Sequence, residues 1–221
     1  MPALDRLDTI ADSIRAEWTE RNAVRDATLT RSRELIRLCA TIIRASHRDD
    51  WEQAERLLGK AQEVAATMCS EATPYPDLYF AGYTQDALKE LAEAHITAAL
   101  ARDETLPTPG EIEIEGPAYL NGLAEAASEM RRRCLDLIRR GDSAGAERLL
   151  AAMDEIYAVL MTFDFPDAIT GGLRRRVDAL RGVLERTRGD LTMSMRQDAL
   201  RQALREFEQR VAGPDETTTT A

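Results

Sequence analysis

Lysine is almost missing from this chain: of 29 basic residues only Lys60 and Lys89 are lysines, and the rest are arginines. Against 39 acids they leave a formal charge of −10. That excludes a strongly basic, nucleic-acid-coating protein, although a local basic stripe can persist inside an acidic total. An acidic, lysine-poor composition suits either a GC-rich genome or a salty cytoplasm, and composition does not separate the two. Cysteine is scarce and odd in number (Cys39, Cys69, Cys134), with no CxxC pair, which argues against a disulfide scaffold and a structural zinc module. Aromatics make up 5%, too few for recognition by stacking many bases. No apolar run approaches the roughly 18 residues of a membrane span. The opening MPALDRLDTIADS carries acids where a signal peptide needs positive charge before an apolar stretch. A soluble, cytoplasmic protein without membrane association is expected. GxSxG, P-loop, GxGxxG and HExxH motifs are all missing, so serine hydrolases, nucleotide folds and zincins lose support.

What is present is helical patterning. With 221 residues, 44% hydrophobic and 31% charged, and only 12 Gly and 8 Pro, the chain suits one helix-rich domain with a sizeable core. Leu4, Leu7, Ala11, Ile14 and Trp18, then Leu35, Leu38, Ile42 and Ile43, recur at helical spacing, predicting one long or slightly broken helix to about His47. Asp49–Asp50 cap a second helix from Trp51 to about Ser70. Thr73-Pro74-Tyr75-Pro76 ends it, and a third is predicted from Asp77 to about Asp103. Leu106-Pro107-Thr108-Pro109-Gly110 reads as a loop, and Glu111–Glu115 (EIEIE) as a short extended strip. Gly116-Pro117 opens a fourth helix to about Arg140, and Gly141-Asp142-Ser143 stops it and caps a fifth to about Thr162. Pro166 breaks the chain again. Leu173, Val177, Leu180, Leu184, Thr187 and Leu191 follow a heptad-like rhythm in a last helix to about Val211. The expected architecture is all-α: an elongated bundle of about six to seven helices, one domain over 1–212, with 213–221 a disordered tail. Long helices on a chain this size suggest a thin subunit whose heptad face is buried in a homo-oligomer.

Chemistry must then rest on carboxylates and arginines. Glu90 and Glu93 stand three apart on one helix, and Glu125 and Glu129 four apart on another, so each pair shares a face. If the two helices pack antiparallel across the 106–116 loop, four carboxylates can converge. Like charges at short range oppose ionisation, and Mg²⁺ or Mn²⁺, which take oxygen ligands, would relieve them. The same spacing also suits a solvated face in a chain this acidic. A di-iron bundle would need Glu-x-x-His on two helices, and neither His47 nor His95 has a Glu three residues earlier; lone histidines on helices are more often fillers. The arginines group as Arg25, Arg31, Arg33 and Arg37, as Arg131–Arg133, and as Arg174–Arg176. They suit bidentate phosphate contact or salt bridging on exposed faces.

The stretch Tyr119–Asp142, YLNGLAEAASEMRRRCLDLIRRGD, resembles the translin/Trax family. Its Tyr-Leu-x-Gly start, the acids at Glu125 and Glu129, Arg132, Cys134 and the closing Gly141-Asp142 fall in register. Leu88–Ala94, with its Glu-x-x-Glu, resembles the Trax segment, and Leu173–Leu180 the translin C-terminal helix. Weaker likeness extends to Arg25-Asp26-x-Thr28 and Arg33, so the resemblance covers about residues 20–196. It implies an all-helical, translin-like subunit of a closed homo-oligomeric shell of six or eight copies, in which RNA is cleaved. It assigns the catalytic and metal-binding roles to Glu90, Glu93, Glu125 and Glu129. Translin proper lacks the Glu-x-x-Glu pair, so the chain resembles the catalytic, Trax type. The family carries aspartate at Glu125, and a basic, histidine-rich segment where this chain has Tyr79–Thr84, leaving RNA contact to Arg25, Arg33, Arg131, Arg132 and Arg133.

The expected function is a Mg²⁺- (or Mn²⁺-) dependent endoribonuclease acting on single-stranded RNA, with single-stranded DNA a further ligand. The alternatives are a non-catalytic single-stranded nucleic-acid binder of translin type and a plain helical scaffold. Glu125→Gln is expected to end cleavage while relieving repulsion, so that stability without metal is kept or raised.

Overall fold

The computed structural model describes residues 4–212; the tail assigned to 213–221 lies outside them. Six long helices carry the chain: α1 (Leu7–His47), α2 (Trp51–Ala72), α4 (Gly82–Arg102), α5 (Gly116–Arg139), α6 (Ser143–Leu160) and α8 (Leu173–Ala212). Two single-turn helices, α3 (Pro76–Tyr79) and α7 (Asp167–Thr170), sit in the connections. The punctuation works as its chemistry dictates. Asp50 and Asp142 accept from the backbone N–H of Gln53 and Gly145, capping α2 and α6. Gly141 takes a left-handed turn at φ +81°, which costs glycine little.

Two local expectations fail. The third helix is split, because Thr84 Oγ1 and Gln85 Nε2 donate to the carbonyls of Leu78 and Tyr79 at 2.8 and 3.0 Å. Those side chains take the bonds a continuous helix would have made, and Ala81 is extended. The Glu111–Glu115 strip is a set of turns. Ile112 and Ile114 are both buried, but no strand lies beside them among the described residues. Their N–H groups close turns on Thr108 and Pro109 instead.

The helices are layered around α4, 13 of whose 21 residues are buried. It lies between α1 and α2 on one side and α5 on the other, and α5 in turn meets α6 and α8. Contacts at both ends show that α4 and α5 run parallel, contrary to the antiparallel packing expected. At one end Phe80 and Gly82 share a cavity with Glu115 and Pro117. At the other, the Arg102 and Arg133 guanidiniums lie 5.5 and 5.7 Å from the Trp51 ring centroid. The 13 residues between the helices can span about 43 Å extended, against about 31 Å of α4, so the chain can return along the bundle. Gln62 Nε2, donating to Ile112 O at 3.0 Å, and Tyr119 OH, donating to Pro107 O at 2.7 Å, hold this return segment down.

The heptad residues Leu173, Val177, Leu180, Leu184, Thr187 and Leu191 are buried within the subunit itself, on the part of α8 that meets α5 and α6. They are therefore not the face left for an oligomer. Exposed apolar residues recur at the ends of the two longest helices, Leu7, Ile10, Ile14 and Trp18 on α1 and Leu200, Leu204, Phe207 and Val211 on α8, and again around the α6–α8 connection at Met161, Phe165 and Ile169. No helix among the described residues is long and apolar enough to cross a membrane.

Candidate functional site

The close approach of α4 and α5 builds the site. A Cβ added at Gly122 would meet Ala92 Cβ at 2.6 Å, Lys89 O at 2.7 Å and Glu93 N at 2.9 Å. Only glycine allows α5 to lie this close to the turn of α4 that bears Glu90 and Glu93. With the helices parallel and in that register, oxygens of Glu90, Glu93 and Glu125 come within 4.8 Å of one another. Glu129 lies one turn further along α5. Its charge is felt by Glu93, but its Oε2 is engaged by His47 Nε2 from α1 at 2.9 Å.

Three of the four carboxylates have a cation or hydrogen-bond donor of their own. Lys89 Nζ bridges Glu125 Oε2 at 2.5 Å and Glu90 Oε1 at 3.0 Å. Arg176 Nε adds a bond to Glu125 Oε1 at 2.8 Å, while its Nη1 is fixed by Asn121 Oδ1 at 3.0 Å and Gly171 O at 3.3 Å. Burial works to raise the Glu125 carboxyl, but Lys89 and Arg176 outweigh it and hold it below its ordinary range. The His47 bond holds Glu129 down in the same way. Glu93 has no such partner and is only 8% exposed. Burial first, then the charges of Glu90, Glu125 and Glu129, push it up to about 8. The expectation that removing the Glu125 charge relieves repulsion therefore belongs to Glu93; loss of Glu125 strands Lys89 and Arg176 instead.

The donor set fits a hard divalent cation. It offers only carboxylate oxygens, those of Glu93 buried with no cation bonded to them, and the Lys89 ammonium already stands between Glu90 and Glu125 as a positive charge. Glu90, Glu93 and Glu125 would hold the ion, with Glu129 beside them.

The proposed phosphate-binding arginines are not brought to this point. Arg25 and Arg33 are exposed on α1; Arg25 pairs with Asp26 at 2.9 Å and lies about 33 Å along the helix axis from His47. Arg131 ties α5 to α8 through Thr187 at 3.2 Å and Asp190 at 2.8 Å. Arg133 holds the α1–α2 turn through Asp49 at 2.8 Å and Ser46 O at 3.3 Å. Arg132 is exposed, near Glu129. Sequence reasoning missed Lys89, Arg176 and His47 as parts of the site. Arg176 carried a signal as a member of the Arg174–Arg176 group, and Lys89 as one of two lysines in an arginine-rich chain, but neither pointed to the glutamates.

Fold and site together define an all-helical bundle protein with a carboxylate crevice between two parallel central helices. Solved structures of AfC3PO are similar to it in fold and sequence. One is a complex with duplex RNA, 33% identical with a TM-score of 0.76, and another has 34% identity and a TM-score of 0.77; each covers 84% of this chain and 96% of its own. Apo-NeC3PO shares the fold at 19% identity, with a TM-score of 0.76 over 83% of this chain and 96% of its own. An uncharacterized protein of Methanocaldococcus jannaschii is 31% identical over 205 residues, 92% of this chain and 89% of the relative. No protein-family profile matches the chain. The chain belongs to the C3PO family of translin-like proteins.

Proposed function

We propose that this chain is a metal-dependent endoribonuclease of the Trax-like, catalytic type, acting on single-stranded RNA inside a cytoplasmic homo-oligomeric shell of six or eight subunits. The observation that carries this reading is Glu93: a buried carboxyl with no cation bonded to it, within reach of Glu90 and Glu125. A carboxyl of that kind keeps its proton to about pH 8 and gives it up at lower pH when a cation joins it. The relative solved with duplex RNA supports RNA as the ligand class. The exposed apolar ends of α1 and α8 support burial between subunits.

Glu90, Glu93 and Glu125 would hold Mg²⁺ or Mn²⁺, which supplies an activated water and charge stabilisation at the phosphoryl oxygens. Glu129, held ionised by His47, would orient that water. Arg176, fixed by Asn121 and Gly171, presents positive charge beside Glu125. Arg132 is the exposed arginine near Glu129 and is assigned to the RNA backbone, with Arg25 and Arg33 reaching more distant phosphates. Affinity for RNA should fall with added salt, as phosphate contacts release counterions.

The test is incubation of end-labelled RNA, single-stranded and duplex, with the purified protein in Mg²⁺ or in chelator. Internal cleavage of the single strand that needs Mg²⁺ and is lost in Glu93→Gln is the expected result. Binding without cleavage in either condition identifies a non-catalytic nucleic-acid binder, and neither binding nor cleavage leaves only a scaffold.

A further inference from the structure

A cavity of about 530 Å³ adjoins the carboxylates on the side toward the N-terminal ends of α4 and α5. Lys89 and Arg176 line it, together with Gln85 and Asn121, the acids Asp86 and Glu115, and the apolar Phe80 and Ile169. The two cations differ in freedom. Arg176 is held at Nε and Nη1 by Glu125, Asn121 and Gly171. Asn121, only 4% exposed, is itself pinned by donating to Pro117 O and Thr170 O at 2.7 Å each. Lys89 is held only by carboxylates, at the end of a flexible four-carbon stem whose compact ammonium has three donors.

We propose that Lys89 is a two-position ammonium: it bridges Glu90 and Glu125 while they lack a divalent cation, and turns into the adjoining cavity beside Arg176 to hold an RNA phosphate when they have one. The inference rests on the reading of Glu90, Glu93 and Glu125 as divalent-cation ligands. Lys89 already occupies Glu90 Oε1 and Glu125 Oε2, and a divalent cation drawn in among the three glutamates would compete for those carboxylates and repel the ammonium at close range, so the ammonium is displaced. The cavity it already lines is where its stem can carry it. The charge balance requires both events together. With Lys89 tied to the glutamates, Asp86 and Glu115 make the cavity repel a phosphate. With Lys89 released toward Arg176, and the glutamates neutralised, the two cations face it as a pair. Divalent cation and RNA phosphate therefore strengthen each other's binding, and the coupling is reciprocal. An arginine would not serve, because its planar fork binds carboxylates bidentately and gives them up less readily. A lysine at this place in a chain with only two follows from that need.

The same scarcity supplies the test. The oligomer is prepared with ¹³Cε-labelled lysine, which gives two NMR signals, Lys60 serving as internal control. Mg²⁺ alone is expected to shift the Lys89 signal, and a short 2′-O-methyl single-stranded RNA added in Mg²⁺ to shift it again, while Lys60 stays. In parallel, calorimetry measures Mn²⁺ affinity, and the affinity of the same oligonucleotide with and without Mn²⁺. Lys89→Gln should bind Mn²⁺ at least about ten-fold more tightly, since a competing cation is gone. The gain in oligonucleotide affinity on adding Mn²⁺, at least about five-fold in the wild type, should vanish in the variant. Lys89→Met repeats the measurement if Lys89→Gln does not fold. Tighter Mn²⁺ binding with an unchanged gain makes Lys89 a fixed counter-charge and overturns the proposal. Unchanged Mn²⁺ affinity, or a Lys89 signal indifferent to RNA, also overturns it while leaving the carboxylate site standing. Failure of the wild type to bind Mn²⁺ at all removes both.

Discussion

Helix α5 carries two charged stretches barely a turn apart, and they face different surroundings. Arg131 and Arg133 are matched: one spans to Thr187 and Asp190 on α8, the other to Asp49 and Ser46 at the α1–α2 turn. The Glu125–Glu129 turn, itself answered by Lys89, Arg176 and His47, faces Glu90 and Glu93 across the Gly122 contact, and there Glu93 of α4 is left buried with no cation bonded to it. Charges that are fully answered within the subunit hold the fold together. A carboxyl that the fold buries with no cation bonded to it keeps its proton, and a cation from outside is what would ionise it. Charge type and spacing looked equally suggestive for both stretches, and only partners separate them.

The largest expected effect is at Glu93. Glu93→Gln should lower RNA cleavage at least about 100-fold, as loss of a metal-site group does, while leaving the metal-free protein as stable or more so. Cleavage rate and melting temperature of the same preparation check both halves. Stability falling together with activity would place Glu93 among the answered charges.

Gly122→Ala attacks the geometry that creates the difference. Its Cβ would meet Ala92, Lys89 O and Glu93 N at under 3.0 Å, so α4 and α5 must part. Overpacking of this kind costs about 1–3 kcal/mol, and the stabilisation that Mn²⁺ gives to melting should shrink with it. A variant with full Mn²⁺ stabilisation would show that the close approach is not needed for the site.

Arg133→Ala should cost a similar or smaller amount, about 1–3 kcal/mol, because the hydrogen-bonding groups it satisfies are left without a donor. Cleavage per folded molecule should be kept. Denaturant unfolding combined with an activity assay separates that from a role in RNA contact.

The titration of Glu93 gives a smaller, signed effect. Its ordinary value is 4.5 and the fold raises it to about 8, so between those values the folded protein holds a proton that the unfolded chain has lost. The resulting stabilisation relative to an ionised buried group is present at low pH and lost as pH rises through 8. Metal-free wild type should thus lose stability relative to Glu93→Gln from about pH 4.5 upward, with the difference levelling above 8. Glu125 and Glu129, both held down, act in the opposite sense as pH falls, and comparison of the two proteins removes their share. A pH-independent difference would contradict the assigned burial of Glu93.

Smallest is Arg132→Ala on the exposed face of α5. Stability should stay within about 0.5 kcal/mol. RNA affinity should weaken a few-fold, with the salt slope reduced by about one. Unchanged binding would move the backbone contact to Arg25 and Arg33.

The six long helices were legible because apolar spacing and caps such as Asp50 and Asp142 are local. Their packing was not. A 13-residue connection between α4 and α5 allows either direction, and the parallel one follows from contacts such as Arg102 and Arg133 on Trp51, which no local pattern encodes. The heptad of α8 was read correctly as a buried face, but α5 and α6 bury it rather than a second subunit. The glutamates were reached by spacing and by resemblance. Lys89, which answers Glu90, is its neighbour in sequence, but two other partners come from afar: His47 lies 82 residues before Glu129, and Arg176 lies 51 after Glu125. Glu93 became distinctive only once those partners were placed.

The central claim, that the Glu125–Glu129 side of α5 holds a cation and the Arg131–Arg133 side holds the fold, is tested most directly by titrating Mn²⁺ calorimetrically into wild type, Glu93→Gln and Arg133→Ala. Saturable binding by wild type and Arg133→Ala, weakened at least about ten-fold in Glu93→Gln, is the predicted result. Absence of saturable binding in wild type, or equal binding in Glu93→Gln, would contradict it.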